Sequence, residues 1–267
     1  MEVLQQAEDF RQECDVLRAV LHGKPDALWY QPTQFKDWTF NDVIGHLHLF
    51  DHAARLTLEG PELVRSFFAE IARGRAGGDS LITYTRRWLG GAQGAELLER
   101  WQGLYEALAD EYAGQDPGRR VVWGGPDMSV RSCISARQME TWAHGQAIFD
   151  CLGVVRTESD RLKNIAIMGI NTFGWTFANR RLEIPTVRPY VRLASPSGAV
   201  WEWGSPDQTD YIDGAAVDFC RVVTQTRNVA DTALCVAGPV AQRWMAIAQC
   251  FAGPAEDPPP PKTRFLQ

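Results

Sequence analysis

Apolar residues recur at helical spacing from the start of the chain to about residue 182, and this periodicity constrains the fold more than any other feature. Residues 3–22 show it clearly, with apolar positions three or four apart. The Gly60-Pro61 pair and the turn-rich segment 114–129 interrupt the pattern, as breakers between helices do. The pattern predicts an all-α region with helices over 3–22, 40–57, 62–73, 79–89, 94–112, 130–152 and 160–180.

The periodicity changes after Pro185. Residues 190–194 and 199–203 alternate in polarity and are separated by the turn Pro196-Ser197-Gly198, which predicts a β-hairpin. Shorter helical and strand-like segments follow, so the fold class we predict is α+β. The predicted parts are a helical domain over 1–184, a small α+β module over 185–253 and a Pro-rich tail over 254–267. We expect the tail to be mobile because it has little to pack.

Composition and charge exclude several classes of function. Of the 267 residues 45% are apolar, the net charge is −6, and no block of Lys and Arg stands out. We therefore expect neither a nucleic-acid partner nor a membrane partner. The start of the chain lacks a signal-peptide pattern, and no apolar run is long enough to cross a bilayer. The six cysteines form no C-x-x-C pair, which is typical of reduced thiols and predicts a cytoplasmic protein.

The stretch METWAHGQAIFD, residues 139–150, places two metal-ligand side chains at helical spacing. Glu140 and His144 are four residues apart, so a helix brings them onto one face. Such a pair could bind a metal ion, and it is also a common hydrogen-bonded pair on protein surfaces. Trp142 could line a pocket here or pack in the core. Gln146 could orient His144 or a bound ligand, or it could be an exposed amide.

A second group of candidate ligands lies on the predicted helix 40–57. His48 and His52 are four residues apart and share a face, whereas His46 shares its face with Asp42. A catalytic metal site needs about three protein ligands, and helical bundles commonly build such sites from facing helices. One histidine of this helix could therefore join Glu140 and His144, but spacing alone does not choose between His46 and His48.

Several charged residues near these motifs have two interpretations. Asp42 could accept a hydrogen bond from His46, or it could serve the first turn of its helix. Arg137, three residues before Glu140, could simply pair with that carboxylate. Arg180, Arg181 and Arg221 could contact a charged substrate or lie on a solvated surface.

Both histidine-containing stretches resemble signatures of one known family. The segment DWTFNDVIGHL resembles the second-helix signature of the DinB-like superfamily, in its mycothiol-dependent maleylpyruvate isomerase branch. Its first residue, Asp37, replaces the usual Gly. METWAHGQAIFD resembles the second signature of the branch, with Ala147 where the branch usually has Asp. The residues that match the two signatures are Trp38, Thr39, Asp42, His46, Leu47, Glu140 and His144.

The likeness extends over nearly the whole chain. Segments such as RLKNIAIMGINTFGW and GAVWEWG resemble an actinobacterial-type subfamily of about this length. The C-terminal part of that subfamily is similar to the small sterol-carrier-like module of the isomerase, and it sometimes carries the label wyosine base formation. The acidic charge balance gives that tRNA-modification label no support.

The resemblance implies a specific fold, site and chemistry. It implies a DinB-like four-helix bundle followed by a sterol-carrier-like module, with His46, Glu140 and His144 as ligands of a divalent metal. Two imidazoles and one carboxylate suit zinc first, and also iron, nickel or manganese. The implied cofactor beside the metal is a low-molecular-weight thiol such as mycothiol. The implied activity is isomerisation or S-transfer on a small electrophilic metabolite.

Two other functions fit the same ligand set. The metal could activate water in a thiol-independent hydrolase, lyase or cyclase of specialised metabolism. Alternatively, the metal could only stabilise a non-catalytic protein that binds a ligand. Composition is also compatible with an oligomer, and exposed aromatic residues of the small module could form its interface.

Overall fold

The structure is a computed structural model that describes residues 4–267. The chain divides into two compact units, Met1–Ile148 and Phe149–Gln267. This division falls well before residue 184, where the sequence pattern predicted the boundary. The difference arises because the helices between these two positions belong to the same compact unit as the C-terminal strands.

Four helices of 17–22 residues dominate the first unit, and two further helices, of 16 and 8 residues, connect the second of these long helices to the third. The third long helix contacts the first two, and side-chain hydrogen bonds join the fourth to the first and second. A short hairpin precedes the fourth long helix. The helices are α1 (Gln5–Leu21), α2 (Phe40–Glu59), α3 (Pro61–Ala76), α4 (Leu81–Trp88), α5 (Gly94–Ala113) and α6 (Val130–Cys151), and the hairpin strands are β1 (Arg120–Val121) and β2 (Met128–Ser129).

Helix α2 begins and ends where its sequence requires. At its start, the Thr39 hydroxyl accepts a hydrogen bond from the Asp42 backbone N–H at 3.2 Å, and the Asp42 carboxylate accepts one from the Thr39 N–H at 3.0 Å. This reciprocal pair is a capping box, and it satisfies two N–H groups that a helix start leaves unpaired. At the end, Gly60 adopts a φ of 154°, and Pro61 opens α3.

A four-stranded sheet and four helices make up the second unit. The sheet has the order β4-β3-β5-β6, in which β3 pairs antiparallel with β4 and parallel with β5. The predicted hairpin is confirmed, whereas the predicted helix 160–180 is two helices separated at Thr172. The elements are α7 (Leu162–Asn171), α8 (Phe173–Asn179), β3 (Tyr190–Ala194), β4 (Val200–Trp203), β5 (Tyr211–Ala215), α9 (Ala216–Val223), β6 (Cys235–Ala237) and α10 (Pro239–Ile247).

Helix α7 packs on α9 through a glycine. A Cβ atom at Gly169 would lie 2.9 Å from side-chain carbons of Phe219 and Val223, so only glycine allows this approach without a shift of those side chains. This contact explains why α7 belongs with the sheet rather than with the bundle.

The Pro-rich segment 254–267 makes more contacts than its composition indicated. The Lys262 backbone N–H donates to the Asp231 carboxylate at 2.9 Å, the Arg264 guanidinium donates to the Gln225 carbonyl at 2.7 Å, and Asn228 donates to the Pro259 carbonyl at 2.9 Å. The expectation that this segment has little to pack is therefore corrected, and its mobility stays a prediction. Within residues 4–267, no helix combines the length and apolar character that spanning a membrane requires.

Candidate metal site

Helices α2 and α6 bring His46, Glu140 and His144 together. The nearer carboxylate oxygen of Glu140, Oε2, lies 3.1 Å from His144 Nε2 and 3.8 Å from His46 Nε2. The centroids of the two imidazole rings are 4.4 Å apart. The interhelical packing thus selects His46 from the histidines of α2, a choice that spacing alone left open.

The three side chains fit a divalent metal ion. Each offers one ligand atom, and these atoms all lie within 4.8 Å of one another. Ligand atoms at zinc-like bond lengths of about 2.0–2.1 Å are roughly 3.0–3.5 Å apart, so the Glu140–His144 separation already falls in that range. Two imidazoles and one carboxylate form a donor set typical of zinc and of other transition metals.

The protonation states of the site also favour a cation. Burial, together with the neighbouring His144, lowers the pKa of His46 to about 4, so this imidazole is neutral near pH 7. Burial alone would raise the pKa of Glu140, but the approach of His144 and His46 and the charge of Arg137 lower it well below its usual range. A neutral imidazole and an ionised carboxylate are the forms that bind metals.

Aromatic rings enclose the two histidines. The Trp38 ring stacks on His144 with an interplanar angle of 8° and a centroid distance of 5.4 Å, and its centroid is 5.1 Å from that of His46. Phe35 makes an edge contact with His144 at a ring-centroid distance of 5.0 Å, and the ring centroid of Phe50 lies 4.8 Å from that of His46. From the sequence, Trp38 was known only as a signature match, and no pattern indicated Phe35 and Phe50 as neighbours of the site.

The turn before α2 places Trp38 over the histidines. Lys36 and Asp37 have φ values of 52° and 56°, in the left-handed region that most residues avoid. The signature that this segment resembles has Gly at the position of Asp37, which suits this backbone conformation. Asp is one of the few residues besides Gly that adopts it at moderate cost.

The other candidate residues of α6 are buried. Trp142 is fully buried, because a residue two positions from both Glu140 and His144 projects from the opposite side of the helix. Gln146 is only 4% exposed, so its interpretation as an exposed amide was wrong. A role for either residue in binding a cofactor stays a prediction. Ala147 is also buried and supplies no carboxylate.

The structure decides the partners of Asp42 and corrects that of Arg137. Asp42 accepts hydrogen bonds from Thr39 and, at 2.8 Å, from the Arg86 guanidinium, so it serves the helix start rather than His46. Among the described residues, His46 Nδ1 has no hydrogen-bond partner. Arg137 forms its ion pair with Asp51 at 2.8 Å and not with Glu140, although its charge acts on Glu140.

The remaining candidates lie elsewhere. His48 and His52 contact Trp88, at ring distances of 5.4 Å each, and the residues described do not include a third ligand that groups with them. In the second unit, Arg180 pairs with Asp257 and Arg221 with Asp218, and Arg181 is exposed. These pairs favour structural roles for Arg180 and Arg221 over a role in substrate binding.

Fold and site together define a class: a helical bundle with a candidate metal centre on two facing helices, joined in the chain to an α+β module. The model of the mycothiol maleylpyruvate isomerase N-terminal domain matches residues 10–149, and the chain belongs to this family. The matched range ends next to the boundary of the first compact unit.

Comparisons over longer ranges agree with this assignment. One protein from each of two strains of Mycobacterium tuberculosis, both named as uncharacterized, is 38% identical to the chain over 247 residues, which is 92% of this chain and 95% of each relative. Crystal structures of the mycothiol-dependent maleylpyruvate isomerase and of a mutant of it cover 82% of this chain and 87% of theirs. Their TM-scores are 0.50 and 0.51, with 14% and 12% identity. At this identity the structural likeness shows a shared fold.

Proposed function

We propose that the protein is a divalent-metal-dependent enzyme that uses a low-molecular-weight thiol, such as mycothiol, in the isomerisation or S-transfer of a small electrophilic metabolite. His46, Glu140 and His144 hold the metal, with zinc as the first candidate. The observation that carries this proposal is the convergence of three ligand atoms within 4.8 Å from two separate helices. Membership of the mycothiol maleylpyruvate isomerase family supports the thiol.

The surrounding residues prepare the site for a ligand. Trp38 stacks on His144 and restricts its rotation, while burial keeps His46 neutral. The Glu140 side chain is 23% exposed and the two histidines are 10–13% exposed, so an exogenous molecule can approach from the Glu140 side. A divalent ion bound here supplies Lewis acidity, which lowers the pKa of a thiol that reaches it.

A thiol from outside the protein fits the state of the cysteines in the first unit. Cys14 and Cys133 are both buried. Burial raises the pKa of Cys133 to about 11 and raises that of Cys14 well above its ordinary value. A neutral, buried thiol is a poor nucleophile, so neither cysteine suits covalent catalysis.

Metal content tests the ligand set directly. We expect purified wild-type protein to bind about one equivalent of divalent metal and the variant His46→Ala to bind much less, because a site with two ligands is far weaker. His52→Ala is the matched control, since this histidine lies on the same helix but contacts Phe67 and Trp88. Equal metal content in wild type and His46→Ala would rule out this ligand set.

Thiol dependence needs a separate measurement. In cobalt-substituted protein, we expect added mycothiol to change the visible absorption spectrum, because a sulfur ligand alters the cobalt transitions. An unchanged spectrum combined with turnover in the absence of thiol would instead identify a thiol-independent hydrolase, lyase or cyclase. Metal-loaded protein without turnover on a broad panel of electrophiles would identify a ligand-binding protein.

A further inference from the structure

Aromatic rings extend away from the candidate metal site in a continuous series of contacts. Phe50, which touches His46 at 4.8 Å, has ring centroid distances of 6.4 Å to both Phe68 and Trp123. Phe68 and Trp123 meet edge to face at 5.2 Å. We call Phe50, Phe68 and Trp123 the aromatic wall.

Three different elements contribute to the aromatic wall. Phe50 lies on α2, Phe68 on α3, and Trp123 in the turn between β1 and β2. All three side chains are partly exposed, although they pack against a buried cluster that includes Leu49 and Ala53. Large apolar rings that keep exposed surface beside a candidate active site can bury that surface against a ligand.

A glycine next to Trp123 allows the wall to form. A Cβ atom at Gly124 would lie 2.5 Å from carbons of the Phe68 ring, a distance that real Cβ atoms do not reach. The Phe68 ring therefore lies directly against the backbone at position 124. This close approach holds the rings of Phe68 and Trp123 side by side.

Among the described residues, the Arg137 cation contacts the aromatic wall and is already neutralised. The Arg137 guanidinium lies 5.9 Å from the centroid of the Phe50 ring. It is 2% exposed and donates to the fully buried Asp51 at 2.8 Å. A substrate with two carboxylates would require cations that are free to form charge-assisted hydrogen bonds with it. The Arg137 guanidinium is not free, because it is paired with Asp51.

We propose that the aromatic wall is the part of the active site that binds the electrophile to which the thiol adds. This electrophile carries a flat, apolar group, either an aryl ring or a conjugated hydrocarbon. This proposal rests on the proposed function, because it places the reacting end of the molecule at the metal site beside Phe50. Stacked and edge-to-face ring pairs with centroids 4.5–7 Å apart supply the attraction. The substrate class is thus an aryl or polyene carbonyl compound rather than a small dicarboxylate.

Binding of an unreactive probe tests the subsite without thiol or turnover. We would measure the affinity of zinc-loaded protein for 4-phenyl-2-butanone by ligand-observed NMR, with succinate as the charged comparison. We expect the ketone to bind more tightly than succinate. The variants Phe68→Leu and Trp123→Leu should weaken ketone binding by at least about fivefold, because they remove the aromatic ring but leave an apolar side chain.

Trp88→Leu is the matched control for general destabilisation. Trp88 is also partly exposed and packs on the same buried cluster, but its ring contacts are His48, His52 and Phe67. We expect this variant to keep the affinity of the wild type. An equal loss in all three variants, or tighter binding of succinate than of the ketone, would overturn the proposal. The cobalt titration with thiol is independent of this result, so the two proposals can fail separately.

Discussion

Asp51 is a fully buried carboxylate whose two oxygens are both hydrogen-bonded. Arg137 donates to one oxygen and the Trp101 indole N–H to the other, each at 2.8 Å. The ion pair joins α2 to α6, the two helices that carry the candidate ligands. A buried pair of this kind adds little net stability, but it penalises any packing that separates its partners.

Removal of the cation alone should destabilise the bundle strongly. We expect Arg137→Met to lower the free energy of unfolding by about 3–5 kcal/mol, because it leaves the Asp51 charge buried without a partner. The double variant Asp51→Leu, Arg137→Met should recover most of this loss, since it removes both charges. Urea unfolding of metal-free protein measures the free energy of unfolding of the single variant and of the double variant. A single variant as stable as the wild type would contradict this prediction.

The buried imidazole of His46 makes the metal-free protein sensitive to acid. Its pKa is about 4 in the folded state against 6.5 for an ordinary histidine, as a result of burial and of the neighbouring His144. Between these values the unfolded chain binds a proton that the folded state does not, so stability is complete above about pH 6.5 and decreases as the pH falls towards 4. Urea midpoints of chelator-treated protein across this range should show the decrease.

The control for this pH dependence is His46→Asn. Without the titrating imidazole, the decrease between pH 6.5 and 4 should be smaller than in the wild type. Parallel curves for the two proteins would assign the acid sensitivity to other groups, such as His48, whose pKa burial also lowers to about 4.

At the scale of the element, the capping box of α2 determines where the helix starts. His46 lies seven residues after the N-cap Thr39, so about two helical turns separate them. The N3 residue of the box, Asp42, also binds Arg86 of α4. Asp42 thus links the start of this helix to α4.

Loss of the cap should cost stability in a predictable amount. We expect Thr39→Ala to lower the free energy of unfolding by about 1 kcal/mol, because the hydroxyl no longer accepts the Asp42 N–H. Thr39→Ser keeps the hydroxyl and should stay close to the wild type. Thermal unfolding of the three proteins separates the stability contributed by the capping hydroxyl from any contributed by the β-branched shape of threonine. A serine variant as unstable as the alanine variant would argue against the capping role.

At the scale of the whole molecule, the candidate ligands all belong to the first compact unit. His46, Glu140 and His144 precede residue 149, where the second unit begins. Metal binding stabilises the elements whose residues supply the ligands. Its effect should therefore be confined to the helical unit.

Metal removal should loosen only part of the molecule. After chelation, we expect faster amide hydrogen exchange in α2 and α6 and unchanged exchange in β3 and β5. In His46→Ala the chelator should have no further effect, because that variant holds little metal. Faster exchange in the strands of wild-type protein would show that the metal stabilises both units.

The amino-acid sequence by itself determined most of the local structure. Helical periodicity predicted each of the long helices, and alternation predicted the β3–β4 hairpin, because these patterns act over a few residues. Spacing alone also identified the Glu140–His144 pair on α6. Strand β5 was not predicted, since its sequence YIDGA has no clear alternation and includes Gly214 at a φ of 152°.

Only the tertiary structure decided how these elements combine. Resemblance to the isomerase branch indicated His46, but the packing of α2 against α6 placed His46, rather than His48, beside Glu140. That packing also gave Arg137 the partner Asp51, and a separate close contact at Gly169 grouped α7 with α9. These outcomes depend on residues far apart in the chain, and the distance between such residues is a property of the packed core, which local periodicity does not specify.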